Sequence, residues 1–181
     1  MKIIICGKIG AGKTTATKIM RTITGTSSID ADDVARSLYR DNNEIRKGVE
    51  KILEEEIIDK NGNLKKELFR KKFRENPGKI KSLDELLHPA VEKILIENLN
   101  NQNIFIETPV FLEKLFSKAD RVLEIRARKE IRKKRSGFAN YFFEIMDSRQ
   151  ENDFGGDFII NNEKGKLELE LEIGSFLGLK P

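Results

Sequence analysis

Ile3-Ile4-Ile5-Cys6 is an unbroken apolar run that stops at Gly7. This is the pattern of a parallel strand buried on both faces, not the alternation of a half-exposed one. After the glycines, Ala16, Ile19, Met20 and Ile23 recur at i, i+3, i+4 and i+7, so the chain passes from strand through loop into an amphipathic helix. A second strand is expected to end at Asp30. Ile104–Ile106, Val122–Ile125 and Phe158–Ile160 read as three more short buried strands, and an amphipathic helix is expected from about Lys166. Strands alternating with helices predict an α/β fold with a mostly parallel sheet covered by helices on both faces.

Between Asp33 and Asn100 the spacing is helical and no strand stands out. Ile45, Val49, Ile52 and Leu53 form one stripe, and Leu64, Leu68, Phe69 and Phe73 a second. Leu83, Leu87, Val91, Ile94 and Leu95 form a third, interrupted by Pro89. Asn61-Gly62 and Asn76-Pro77-Gly78 are the turn signals between them. The organisation expected is one domain, with a core of 1–33 and 101–181 and a helical insertion of about 34–100.

Composition narrows the class. The 181 residues match one domain on a prior of ~150 residues. The single cysteine, Cys6, excludes an intrachain disulfide framework and fits a reducing compartment. The apolar runs are too short for a signal-peptide core or a membrane span of ~20 residues, so a cytoplasmic protein is expected. Net charge is only +4, but Arg126–Arg135 carries seven basic residues and one acid, and Lys65–Arg74 six and one. Such clusters attract polyanions, whether nucleic acid, anionic membrane or a phosphorylated small ligand.

Gly7-Lys8-Ile9-Gly10-Ala11-Gly12-Lys13-Thr14 satisfies G-x-x-x-x-G-K-[ST], in the strand–loop–helix context that gives the motif its meaning. Its glycines let successive N–H groups point into one concavity, which opens onto a helix N-terminus that favours a polyanion. Lys13 then reaches the β- and γ-phosphates, and the Thr14 hydroxyl ligates Mg²⁺. Asp153-Phe154-Gly155 spells a protein-kinase motif without its companions and reads as a loop. Asp30-Ala31-Asp32 falls where the second strand ends, beside the loop. In an extended segment the two aspartates share a side, but a helix starting here, with Asp33 in its first turn, separates them. Spacing alone leaves both readings open.

These elements occur in a distinctive order: the phosphate loop with Thr15, then Ile29-Asp30-Ala31-Asp32, Asn61-Gly62-Asn63-Leu64, Asn76-Pro77 and Leu86-Leu87-His88-Pro89. Glu107-Thr108-Pro109-Val110-Phe111-Leu112-Glu113, Ala119-Asp120-Arg121-Val122-Leu123 and Asp157-Phe158-Ile159-Ile160-Asn161 follow. In this the chain resembles the dephospho-CoA kinase family. The resemblance implies a P-loop kinase fold of about five parallel strands, with a helical substrate-binding insertion and a helical lid over about 132–150. It implies ATP-dependent phosphorylation of the 3′-hydroxyl of dephospho-CoA, the last step of coenzyme A synthesis, with Mg²⁺. The ATP site it implies is Lys8, Ile9, Gly10, Ala11, Gly12, Lys13, Thr14 and Thr15, with Arg135, Arg149 and Asn161. Asp30, Asp32, His88 and Pro109 are the implied acceptor residues, with Asp32 as base and Asp32, Lys13 and Arg135 as the catalytic set. The lid then accounts for Arg132–Arg135 without nucleic acid or membrane as partner, in a monomer or weak homo-oligomer.

Glu107 stands where many relatives carry aspartate, and either holds the magnesium's water shell or serves the loop by packing or a hydrogen bond. Phe69, Phe73 and Phe111 are candidates for stacking on adenine, though core packing suits them better. The chain departs from the pattern at Lys8 for glycine (its side chain expected to point to solvent or phosphate), Lys66 for arginine, Ala139 for a second lid arginine and Glu163 for glycine. Two rival readings remain: another P-loop kinase acting on a nucleoside monophosphate or sugar acid, and a non-catalytic nucleic-acid-binding ATPase.

Overall fold

The computed structural model describes residues 1–59, 63–101 and 103–179; the Asn61-Gly62 turn signal lies outside them. Strand β1 (Lys2–Cys6) takes the centre of a five-stranded parallel sheet because Ile3 to Cys6 are fully buried. β3 (Ile104–Thr108) and β4 (Arg121–Arg126) flank it, with β2 (Ser28–Asp30) and β5 (Phe158–Asn161) at the edges, in the order β2-β3-β1-β4-β5. Register sets Ile5 beside Glu107 and Glu107 beside Asp30, so both acids lie at the carboxyl ends of adjacent strands.

One face of this sheet is covered by α1 (Lys13–Thr24) and α9 (Lys166–Phe176). Ile3, Ile5, Phe105, Leu123, Ile125 and Ile160 meet Ala16, Ile19, Met20, Leu169, Ile173 and Phe176 there. A buried Leu or Ile contributes about 1.5–3 kcal/mol, so this cluster rather than helix propensity anchors α1 behind the loop. The expectation of an amphipathic last helix needs correcting on its outer side, where Leu167 and Leu171 are exposed. The short α6 (Glu113–Phe116) follows β3, and α7 (Lys129–Ser136) and α8 (Asn140–Arg149) lie between β4 and β5. Among the described residues, no helix is long and apolar enough to cross a membrane.

Residues 1–30 and 95–181 form one compact unit, and 31–94 a second. The second unit contains α2 (Ala31–Asp41), α3 (Asn43–Leu53), α4 (Lys66–Glu75) and most of α5 (Gly78–Asn101). Its core joins Val49, Leu53, Ile57, Phe69, Leu83 and Leu87, with Tyr39 and Phe73 packed on Phe69. Phe69 and Phe73 are therefore core residues. One open reading is decided here and two expectations change. Helix α2 starts immediately after Asp30, so of the two readings of Asp30-Ala31-Asp32 the helical one holds, and the aspartates do not share the side of an extended segment. Leu64 leaves the second stripe to bridge Ile58 in antiparallel fashion. Pro89 does not interrupt α5: it removes one helical N–H, but Leu83, Leu87, Val91, Leu95 and Leu99 are buried at four-residue spacing on both sides of it.

Candidate active site

β1 ends at Cys6, whose buried thiol lies 3.7 Å from the Leu123 carbonyl and is pushed up by burial and by the neighbouring Glu124, leaving it an inert packing group. The chain then turns through the glycine loop. Gly12 sits at φ +104°, the left-handed N-cap of α1, and Gly10 at φ +76°. A Cβ on Gly10 would lie 2.2 Å from the Arg132 carbonyl oxygen of α7. Glycine is required there twice, by its φ and by the closeness of that backbone. Gly10→Ala is expected to destabilise the protein by about 1–2 kcal/mol from the backbone strain alone and to raise KM for ATP. Thermal melts with and without nucleotide check this, and an unshifted melt would contradict the close packing of α7.

At the start of α1 the first-turn amides lack intrahelical partners and, with the helix dipole, favour an anion there. Lys13 is mostly buried, its Nζ 3.4 Å from the Lys8 carbonyl that it bonds. Thr14 Oγ1 donates to Glu107 Oε1 at 2.6 Å. The Thr17 hydroxyl, 3.0 Å from both Glu107 Oε2 and the Lys13 carbonyl, shares its proton between them. Burial pushes the Glu107 carboxyl above the usual range; the Thr14 bond and Lys13 oppose this, while Asp30 adds to it. The hydrogen bond to the loop, one of the roles open to Glu107, is present. Mg²⁺ takes hard oxygen ligands and usually one or two protein groups beside substrate phosphates, a donor set that Thr14 and Glu107 supply.

The rest of the loop is held by side chains that follow β4. Gln150 Oε1 accepts the Ile9 N–H at 2.6 Å, and Asn162 Nδ2 donates to the Ala11 carbonyl at 2.8 Å. Arg132 Nη1 bonds both the Ile9 carbonyl, at 3.3 Å, and Asp147 Oδ1. Lys8, expected to point to solvent or phosphate, is turned instead to protein partners: its Nζ donates to Asn152 Oδ1 at 2.9 Å and lies 3.6 Å from Asp147. Burial alone pushes the Asp147 carboxyl up, but Arg132, Lys8 and Lys129 together hold it below the usual carboxylate range.

Much of the basic run is paired with acids, several of them distant in sequence. Arg126 pairs with Glu124 and Asp153, and Arg128 with Glu163. Lys129 and Lys133 pair with Glu144. Glu163, the departure from glycine, thus gains a partner in Arg128. Arg132 is buried and committed to Asp147, so it is no exposed lid cation here. Arg135 Nη1 donates to the Asn162 carbonyl at 2.7 Å, and Arg149 Nη1 lies 3.6 Å from Met146 Sδ.

The remaining sequence candidates take these places. Thr15 is exposed on α1, and Asn161 is exposed at the end of β5, beside the Asn162 that touches the loop. Pro109 follows β3, where the Thr108 hydroxyl donates to the Val110 carbonyl. Phe111 is not core: it is 45% exposed and packs its ring on Phe116. In the other unit, His88 lies within α5, its Nε2 3.5 Å from Asp84, and Asp32 in the first turn of α2. Sequence reasoning missed Asp147, Gln150, Asn152 and Asn162. The one available signal was the excess of base in 126–135, which required acids such as Glu144, Asp147 and Glu163 to offset it.

A profile of the dephospho-CoA kinase family matches residues 1–140. A dephospho-CoA kinase of Aquifex aeolicus is 28% identical, covering 92% of this chain and 90% of its own length. One of Prochlorococcus marinus is 31% identical over 74% of this chain and 70% of its own. Among solved structures, a Thermus thermophilus protein superposes with a TM-score of 0.70 at 24% identity, over 97% of this chain and 95% of its own. The dephospho-CoA kinase of Campylobacter jejuni gives 0.61 at 20% identity with the same coverage. Shikimate kinase of Aquifex aeolicus gives 0.53 at 17% identity, over 98% of this chain and 96% of its own. These structural likenesses carry the fold.

Proposed function

Because the chain belongs to the dephospho-CoA kinase family, we propose that its loop transfers the γ-phosphoryl group of ATP to the ribose 3′-hydroxyl of dephospho-CoA, giving coenzyme A. The observation that carries this reading is the Thr14–Glu107 bond beside the buried Lys13, where α1 begins. Phosphoryl transfer needs little covalent help from the protein; positioning and positive charge do most of the work. The loop amides, the α1 N-terminus and Lys13 supply that charge on the phosphates. We assign Mg²⁺ to Thr14, with Glu107 as the oxygen behind it; when bound, the ion neutralises charge on the β- and γ-phosphates.

Asp32 is assigned the hydroxyl proton of the acceptor, and Asp30, His88 and Pro109 the acceptor's placement. Arg135, with Arg149 and Asn161, is assigned to the nucleotide. Arg135 is expected to leave the Asn162 carbonyl for the transferring group, since a guanidinium gains more from a charged phosphate than from a neutral carbonyl. Arg135→Ala is then expected to lower kcat more than it raises KM for ATP. The reverse pattern in steady-state kinetics makes it a ground-state binder.

Helices α7 and α8 serve as the lid in this reading. The pairing of Arg126, Arg128, Lys129, Arg132 and Lys133 with acids supports a small-molecule kinase over a nucleic-acid-binding ATPase, and we assign it to the cytoplasm as a monomer or weak homo-oligomer. A coupled ADP-release assay across dephospho-CoA, a nucleoside monophosphate and a sugar acid tests it. Release with dephospho-CoA alone is the expected result, and release only with another acceptor overturns the substrate.

A further inference from the structure

Asp147 belongs to α8 and to none of the groups assigned to the chemistry, yet it gathers three cations while almost wholly buried. Arg132 Nη1 bonds its Oδ1, Lys8 Nζ lies 3.6 Å from the same oxygen, and Lys129 Nζ lies 3.7 Å from Oδ2. At the edge of a loop that receives a polyanion, a carboxylate that offsets Lys8 and Arg132 works against the ligand's charge. Its contribution must come through geometry.

That geometry converges on Lys8-Ile9-Gly10. Arg132, held by Asp147, donates to the Ile9 carbonyl, while Gln150, three residues beyond Asp147, accepts the Ile9 N–H. Both polar groups of the Ile9 backbone are therefore fixed from the α7–α8 segment. Lys8 is pinned by Asp147 and Asn152 through its side chain, and its own carbonyl accepts from Ala11 N at 3.1 Å and from Lys13 Nζ. The side chain that Asp147 restrains thus belongs to the residue whose carbonyl seats the phosphate-binding lysine.

We propose that Asp147 is a positioning residue for nucleotide binding, strapping the crest of the phosphate loop at Lys8–Gly10 to α7 and α8 so that the loop is set before ATP arrives. The proposal rests on the reading of this loop as the ATP site. Preorganisation of this kind acts on ground-state affinity, because the ordering has been done before binding.

The test is calorimetric titration of a non-hydrolysable ATP analogue with Mg²⁺ into wild type, Asp147→Asn, Asp147→Glu, Lys8→Met and the Lys8→Met/Asp147→Asn double variant. kcat, KM and Tm are measured on the same preparations. Asp147→Asn is expected to raise Kd and KM for ATP about 10-fold with kcat within about 3-fold, the signature of lost ground-state binding. Asp147→Glu restores most of that affinity. The double variant binds no more weakly than Asp147→Asn, because the two side chains act through one strap. Lys8→Met leaves Asp147 its other two cations, Arg132 and its bond to Ile9 included, and is expected to show a smaller loss. Where Asp147→Asn fails to fold, Asp147→Glu, which keeps the charge and shifts the carboxylate, carries the test, and wild-type affinity in both Asp147→Glu and Lys8→Met overturns the proposal. Tighter binding by Asp147→Asn, unchanged Kd with a lowered Tm, a loss confined to kcat, or additive effects in the double variant would each overturn the proposal. A wild-type protein that does not bind the analogue overturns instead the reading of the loop.

Discussion

Lys13→Ala is expected to lower kcat/KM by ~10³-fold or more while the protein stays folded. The loss corresponds to about 4 kcal/mol of transition-state stabilisation, the scale of one preorganised charge acting where negative charge develops in a site shielded from water. Lys13 meets those conditions: it opens α1 and is mostly buried, with its ammonium resting on the Lys8 carbonyl. Stability changes little by comparison. The bond to the Lys8 carbonyl, worth about 0.5–1.5 kcal/mol, is lost, whereas a positive charge at a helix N-terminus is itself unfavourable. The anchor of α1, from Ala16 to Met20 against the sheet, is untouched. ADP release and a thermal melt on the same preparation decide the matter: near-normal turnover removes the site, and a collapsed melt shows Lys13 to be structural.

The loop was legible because its information is local: glycines at fixed spacing between an apolar run and a helical stripe. β1 was legible for a related reason, since burial on both faces leaves no polar position to disguise it. β2 offers only Ile29 between Ser28 and Asp30, as befits a short edge strand that is only partly buried, and it was found by its place before the aspartates. Helix α2 was obscured because Asp32 and Asp33 suit a loop as well as a first turn, which the helix dipole settles in favour of helix. Pro89 misled because its local cost is visible in sequence, whereas the buried leucines that offset it draw on partners elsewhere. The same asymmetry hid half the site. Gln150 and Asn162 bond backbone atoms of residues 141 and 151 positions earlier, and no periodicity records such a contact. Lys8 was expected to face solvent or phosphate because Asp147, its partner, becomes a neighbour only through the fold.

Asp32→Asn is expected to slow turnover by ~10²–10⁴-fold, the usual share of a positioned general base, with KM for both substrates changed by less than about 3-fold. Asparagine keeps the shape and one acceptor oxygen but cannot take a proton, so the substitution isolates proton transfer from placement. Asp32 lies in the first turn of α2, a position that suits an acidic side chain. Its charge is felt in that unit: burial pushes the Tyr39 hydroxyl up, and Asp32 and Asp84 push it further. Asp30, two residues earlier, ends β2 beside Glu107, at the carboxyl edge where parallel α/β sheets bind their ligands. Phosphoryl transfer sets a competing expectation. In a loose transition state the attacking oxygen has bonded little, its proton leaves late, and a base contributes less. A loss of tenfold or less therefore makes Asp32 a placing group for the hydroxyl. The two cases separate further in Asp32→Ala: a base loses about as much to alanine as to asparagine, whereas a placing group loses far more, because only alanine removes the oxygen that orients the acceptor.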